Sequence, residues 1–249
     1  MNGAYENRYI AFLDILGFKN MVYQSANNPQ ILNLINLALN YTRKVQLENY
    51  DGEMPMSDLG KQVSVFSDSI VISYEMKRPG SGFFVLLDLV YLCNDLLGVG
   101  IPVRGGVTVG QLIHENNKCF GPAMVEAYSM ESDLAIYPRI IVDPKVIEYD
   151  LQYRGKNNTI EFEREFLNNL IDVDDVDKMI YLDYLSQYSE FNDLETYNVY
   201  INYVRNFINE SLKIYCNNPQ IAVKYEWLKK YYNKTMVKVF GESNPLLIL

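Results

Sequence analysis

Two aspartates occupy positions where a strand-like chain ordinarily carries apolar side chains. Asp14 sits near the end of RYIAFLDI (residues 8–15), beside Ile10, Phe12 and Ile15. Asp68 lies inside KQVSVFSDSIVISYE (residues 61–75), with Val65 and Phe66 before it and Ile70 and Val71 after it. A carboxylate in such company is costly unless it is paired, hydrogen-bonded or bound to a cation. Any fold for this chain must therefore provide for both groups. Two carboxylates meeting from neighbouring strands can hold two divalent ions, which clamp a triphosphate and stabilise attacking and leaving oxygens. Taken singly, each is equally consistent with a strand-end aspartate that caps a turn.

The spacing around these residues sets out the elements. Residues 8–15 predict a buried strand, after which Gly17 turns the chain. Asn28-Pro29 opens a helix, with a capping asparagine and proline at the first position. Ile31, Leu34, Ile35, Ala38 and Tyr41 follow at helical spacing, and polar residues 49–60 predict a loop. Residues 61–75 predict a hairpin with Asp68 at its tip, and residues 82–98 an apolar helix. PVRGGVTVGQLI (residues 102–113) predicts a strand or hairpin whose glycines admit close backbone approach. A helix over 121–132 and a strand over 137–143, stopped by Pro144, complete this part. The alternation implies an α/β (α+β) sandwich, with helices over a mixed sheet. Composition shifts near residue 150. Residues 151–177 are charged and weakly patterned, 179–185 predict a short strand, and 193–214 and 219–239 two long helices. The expected division is a domain over 1–150 and a mostly helical extension over 151–249, packed on the core or on a second subunit.

Bulk properties exclude several classes. The 249 residues carry a net charge of −9 and no long basic stretch, which disfavours nucleic-acid binding. No apolar run reaches the roughly 18 residues of a membrane span, and FFVLLDLVYLC is short and broken by Asp88. The first apolar run is broken by Asp14 and lacks a basic lead, so no signal peptide is expected. Cys93, Cys119 and Cys216 are widely spaced without a CxxC, which suggests a reducing cytoplasm and no zinc site. His114 is the only histidine, so chemistry must rest on carboxylates, arginines and backbone.

Four motifs then carry a resemblance. FLDILGF (residues 12–18) resembles the first metal motif of the class III adenylyl and guanylyl cyclases, and VFSDSIVIS their second, in which a hairpin presents an aspartate. VRGGVTVGQL resembles the next strand and GPAMVEAYSMES the following helix, in the same order, over residues 8 to about 143. The resemblance implies that Asp14 and Asp68 ligate two Mn²⁺ or Mg²⁺ ions per site, with the Ile15 carbonyl on one of them. It implies that amides near Gly17 and Phe18 hold phosphate at a helix start. Phe12, in the same motif, is placed with the nucleotide contacts. Arg104 would grip the polyphosphate bidentately. It also implies a homodimer, in which one subunit supplies metals and the other base and ribose contacts.

The chain departs from the purine cyclases at their base-reading positions. An adenine-reading lysine is replaced by Ser64, and its partner aspartate by Lys118; the pair does not match the guanine pattern either. The helix positions that orient ribose and stabilise the transition state hold Val125 and Ser129, which leaves Glu126, Tyr128 and Arg139 as nearby candidates. Of these, Arg139 could supply the missing positive charge. FLDILGF, RGG, GPAxxEAY, YPRIIVD and a Tyr-rich helical tail together look most like the pyrimidine cyclases of the bacterial Pycsar antiphage system. That likeness implies cyclic UMP or cyclic CMP as product, UTP or CTP as substrate, and a separate effector that senses the product. Lys118 can donate to a base carbonyl but cannot accept from an amino group, which places UTP ahead of CTP. A divergent purine cyclase, a non-catalytic domain of the same fold and, more remotely, a palm-type phosphoryl-transfer domain stay open as alternatives.

Overall fold

The computed structural model of the chain describes residues 4–47, 59–115, 118–242 and 245–248. Its strands are β1 (Glu6–Ile15), β2 (Gln62–Phe66), β3 (Ser69–Glu75), β4 (Val103–Glu115), β5 (Lys118–Phe120), β6 (Ile140–Val142), β7 (Ile171–Val173) and β8 (Ile180–Leu182). They form one sheet in the order β2-β3-β1-β4-β6-β8-β7, with β5 paired to β4. Pairing is antiparallel except between β4 and β6, so the sheet is mixed as expected. The helices are α1 (Phe18–Ser25), α2 (Pro29–Leu47), α3 (Ser81–Leu97), α4 (Pro122–Ser129), α5 (Pro144–Gln152), α6 (Ile160–Leu170), α7 (Leu194–Tyr215) and α8 (Pro219–Phe240).

β1 is buried on both faces, and its alternation divides the molecule. Tyr9, Ala11, Leu13 and Ile15 face the larger core with α3, α7 and α8. Ile10 and Phe12 face the smaller one, under Ala123 and Ala127 of α4. Asp14 shares that second face, and it is the one residue between Arg8 and Ile15 that is not fully buried. α3 is apolar nearly all round, as a helix with neighbours on every side must be. Its buried charge, Asp88, is answered by Lys61 at 2.7 Å and by the Tyr74 hydroxyl.

The predicted start of α2 is present: Asn28 Oδ1 accepts from the Gln30 and Ile31 amides at 3.0 and 3.4 Å. Three expectations need correction. Pro144 does not merely stop a strand; Asp143 accepts from the Lys145 amide and α5 begins there. Residues 151–177 are more ordered than their charge suggests, since they hold α6, capped by Thr159, and β7. The division placed at residue 150 falls inside α5, and the sheet continues beyond it because β8 pairs with β6. The C-terminal part thus completes the sheet, and α7 and α8 bury Tyr197, Ile201, Leu228 and Tyr232 in the chain's own core. The predicted loop over 49–60 lies, apart from its last two residues, outside the described residues. Among the described residues, no helix is long and apolar enough to cross a membrane.

Candidate active site

Sheet register brings the two singled-out aspartates together. Asp14 stands opposite Ser69 on β3 and opposite Arg104 on β4. Asp68 lies in the two-residue turn between β2 and β3. Ser67, just before it, takes a left-handed conformation (φ 57°) that a side chain adopts at some cost. The Ile15 amide donates to the Asp68 carbonyl at 3.1 Å, and the Leu16 amide to the Pro102 carbonyl at 3.0 Å. The hairpin tip, the end of β1 and the start of β4 are thereby joined. Gly17 follows at φ 80° and caps α1, which starts three residues after β1 ends and whose first amides, as at any helix start, lack intrahelical partners.

Arg104 bridges two carboxylates. Its Nε lies 3.3 Å from Asp14 Oδ2, and its Nη2 2.6 Å from Oε1 of Glu131, which lies within GPAMVEAYSMES but is not among the residues that motif singles out. The second contact is an ion pair outside hydrogen-bond geometry, so Glu131 Oε1 is buried without a hydrogen-bond partner. Burial raises the Asp14 pKa, Arg104 opposes that rise, and the charge of Asp68 adds to it. Burial likewise raises the Glu131 pKa, against Arg104 and with Asp14, Asp133 and Asp68. Glu131 reaches the site because α4 ends in a π-helical turn, Met130–Leu134, a distortion common at functional sites. Close packing of that turn needs Gly106: a Cβ there would stand 2.4 Å from the Met130 Cβ.

Arg104 contacts Asp14 and Glu131, and the charge of Asp68 acts on both, so negative charge exceeds positive at this end of β1, which suits a cation. The donors are hard oxygens, appropriate to Mg²⁺ or Mn²⁺. Among the described residues, no group of three or more His, Cys, Asp or Glu side chains makes a metal cage by itself. Asp14 and Asp68 fit the sparser arrangement in which one or two carboxylates share a metal with backbone and substrate phosphate.

The other sequence candidates fall into separate places. Phe12 is buried and meets the Tyr128 ring edge-on at 5.5 Å. Phe18, Ser64, Phe66 and Arg43 help line a cavity of about 560 Å³ beside the hairpin. A larger one, about 650 Å³, lies among Phe83, Phe84, Phe162 and Phe166, none of them a residue of this site. Ser64 Oγ is 2.9 Å from His114 Nε2, and His114 Nδ1 is 2.8 Å from Ser73 Oγ, which also accepts from Arg8 Nε. The far end of β4 thus curls back toward β2 and carries the β5 hairpin, with exposed Lys118, toward Ser64. Val125 and Tyr128 are exposed on α4, and Glu126 pairs with Lys145 at the surface. Arg139 is not available to a substrate, contrary to expectation. It is 1% exposed, bound to Asp174 and Asp177, and set against the Tyr137 and Trp227 rings.

No protein-family model and no curated protein matches the chain. Among solved structures, it is similar to a bacterial light-regulated adenylyl cyclase, at 15% identity and a TM-score of 0.44, over 59% of this chain and 81% of that one. It is also similar to the monomeric guanylyl cyclase domain of the RhoGC fusion protein from the aquatic fungus Blastocladiella emersonii, at 15% identity and 0.44, over 71% and 94%. A third is a class III adenylyl cyclase-like ATP-binding protein from Pseudomonas aeruginosa, at 11% and 0.40, over 66% and 40%.

Proposed function

We propose that the chain is a class III nucleotidyl cyclase that converts UTP, or secondarily CTP, to the cyclic 3′,5′-monophosphate and diphosphate. One observation carries this reading. Asp14, Asp68 and Arg104, taken from three motifs separated in sequence, converge at one end of β1 beside a free helix start. Arg104 would exchange its carboxylate partners for the β- and γ-phosphates. The amides after Gly17 offer further donors to phosphate. Asp14 and Asp68, with the Ile15 carbonyl, would hold two Mn²⁺ or Mg²⁺ ions. Those ions would neutralise the polyphosphate and favour the 3′-oxygen as its alkoxide. The 3′-hydroxyl gives its proton to water, its oxygen bonds to the α-phosphorus, and the bond from that phosphorus to the α,β-bridging oxygen breaks to release diphosphate.

Pyrimidine preference rests on Ser64 and Lys118. The Ser64 hydroxyl is already engaged by His114, which leaves Lys118 as the free donor of that pair. A homodimer is supported by Phe66, Val125 and Tyr128, which are 83%, 65% and 53% exposed. They border the site on the hairpin and on α4. In the cytoplasm, the cyclic product would act through a separate sensing effector in antiphage defence. A second reading, a nucleotide-binding domain without turnover, is favoured by Val125 and Ser129 in place of a ribose-orienting asparagine and an arginine.

The test is incubation with each of the four NTPs and Mn²⁺, with products separated by mass. Cyclic UMP or cyclic CMP, lost in the Asp14→Ala protein, is expected. A cyclic purine product would replace the pyrimidine assignment. Nucleotide binding without any cyclic product would leave the second reading.

A further inference from the structure

The site as assembled from the first half of the chain is short of positive charge. Asp14, Asp68 and Glu131 bring three carboxylates, and Arg104, bound to two of them, is among the described residues the one cation in direct contact. Two divalent ions carry four positive charges, and a bound triphosphate brings about four negative ones. The three carboxylates then outweigh Arg104, so a further cation near the phosphates would be favourable.

Helix α8 is anchored beside this deficit. Trp227 donates from Nε1 to Asp174 Oδ2 at 2.6 Å and stacks on Tyr137 with 5.7 Å between centroids. Arg139 lies against both rings, and its backbone carbonyl accepts from the Gly105 amide at 3.1 Å. The anchor of α8 is thus one residue removed from Arg104. Lys224 stands three positions before Trp227, one turn along the same helical face. It is half-buried, and none of the ion pairs among the described residues involves its ammonium. Its electrostatic neighbours are those of the site. Burial lowers its pKa, Arg104 lowers it further, and Asp14 and Glu131 oppose both. Asp14 feels Lys224 in return.

We infer that Lys224, on the C-terminal helix, is a substrate-binding residue of the Asp14–Arg104 site, where it shares the polyphosphate of the nucleotide with Arg104. This rests on the reading of the site as a triphosphate site. It assigns the C-terminal helices a part in binding besides packing: α8 holds a lysine near the phosphates in the same subunit. A flexible stem ending in a point charge suits a group that changes position between bound triphosphate and departing diphosphate.

The experiment compares Lys224→Met, Lys224→Arg and Lys224→Glu, with Lys230→Ala as a control for loss of an exposed lysine from α8. Methionine keeps the apolar stem and its packing, and unchanged far-UV circular dichroism and Tm establish folding. The first arm measures kcat and KM for the preferred NTP with Mn²⁺. The second measures binding of inorganic tripolyphosphate with Mn²⁺ by calorimetry, independently of base and of turnover. For Lys224→Met, a KM and a tripolyphosphate Kd about tenfold higher are expected, as suits loss of a charge-assisted contact. Arginine should restore part of the loss, and glutamate should deepen it. Equal tripolyphosphate Kd in wild type and Lys224→Met would overturn the inference, as would a wild type that binds no tripolyphosphate. Failure of the wild type to turn over any NTP, with the Kd difference intact, would overturn the cyclase reading and leave Lys224 as a phosphate-binding residue.

Discussion

The amide of Ile15 donates to the carbonyl of Asp68 at 3.1 Å, which fixes the hairpin tip against the residue that follows Asp14. The two carboxylates are thus held close by backbone, not by attraction to each other. Neither side chain is needed for that geometry, and burial together with Asp68 already raises the pKa of Asp14.

Replacing Asp14 or Asp68 with alanine should therefore abolish cyclisation while leaving the fold intact. Turnover should fall by about three orders of magnitude or more, equivalent to about 4 kcal/mol of barrier. The Tm of Asp14→Ala should not decrease, since a disfavoured carboxylate has been removed. Near-normal turnover in either variant would exclude that aspartate from the mechanism.

His114 makes stability depend on pH in a defined window. Burial, with a smaller contribution from Arg8, lowers its pKa to about 4, against about 6.5 when unfolded. The unfolded chain therefore takes up the proton first. Stability should fall as pH drops from about 6.5 toward about 4, by up to about 3 kcal/mol from this group. Denaturant titrations at several pH values measure the effect. In His114→Gln, which keeps polar contact with Ser64 and Ser73, the slope over this window should flatten. An unchanged slope would assign the pH dependence elsewhere.

What the sequence made legible follows from local chemistry. Asp14 and Asp68 stood out because a charge inside a β-branched run is anomalous wherever it occurs. Asn28-Pro29 announced α2 because capping is decided within three residues. Asp143-Pro144 carries the same signal, yet a strand precedes it, so the proline reads as a terminator. α6 was hidden because its buried face mixes Glu163 with Leu167 and Leu170, while Ile160, Phe162 and Phe166 are exposed, so charge and apolarity do not sort by face. Glu131 depends on a π-helical turn that shifts the helix face, and no residue spacing announces it. Arg139 looked available because its partners Asp174 and Asp177 lie 35 and 38 residues further on, in a stretch that read as unpatterned.

Arg139 should matter to folding and not to phosphate binding. Its guanidinium compensates Asp174, whose own pKa is lowered although burial alone would raise it; bonds from Trp227, Val176, Asp177 and Arg139 reverse the sign. Arg139→Met should cost about 3–5 kcal/mol, since an acidic group is left buried without its cation. Chemical denaturation measures this. Tripolyphosphate affinity of the folded fraction should stay within about twofold, and a large loss of affinity at unchanged stability would return Arg139 to the site.

The last prediction concerns assembly. The metal-side residues Asp14, Asp68 and Arg104 cluster at one end of β1, whereas Ser64, His114 and the Lys118 hairpin form a second cluster. If each site joins the first cluster of one subunit to the second cluster of another, a C2 dimer has two equivalent sites. Asp14→Ala inactivates the metal half and leaves the base half intact; Lys118→Glu does the reverse. Either homodimer should be inactive. In an equimolar mixture, about half of the dimers are mixed, and one of the two sites in each is built from intact halves, so about a quarter of wild-type activity should return. Phe66→Glu, at the exposed hairpin tip, should shift the protein toward monomer in analytical ultracentrifugation and lower activity in proportion. A fully active monomer at micromolar concentration would rule out the shared site, and Lys118→Glu with unchanged kcat/KM would remove the lysine from the base pocket.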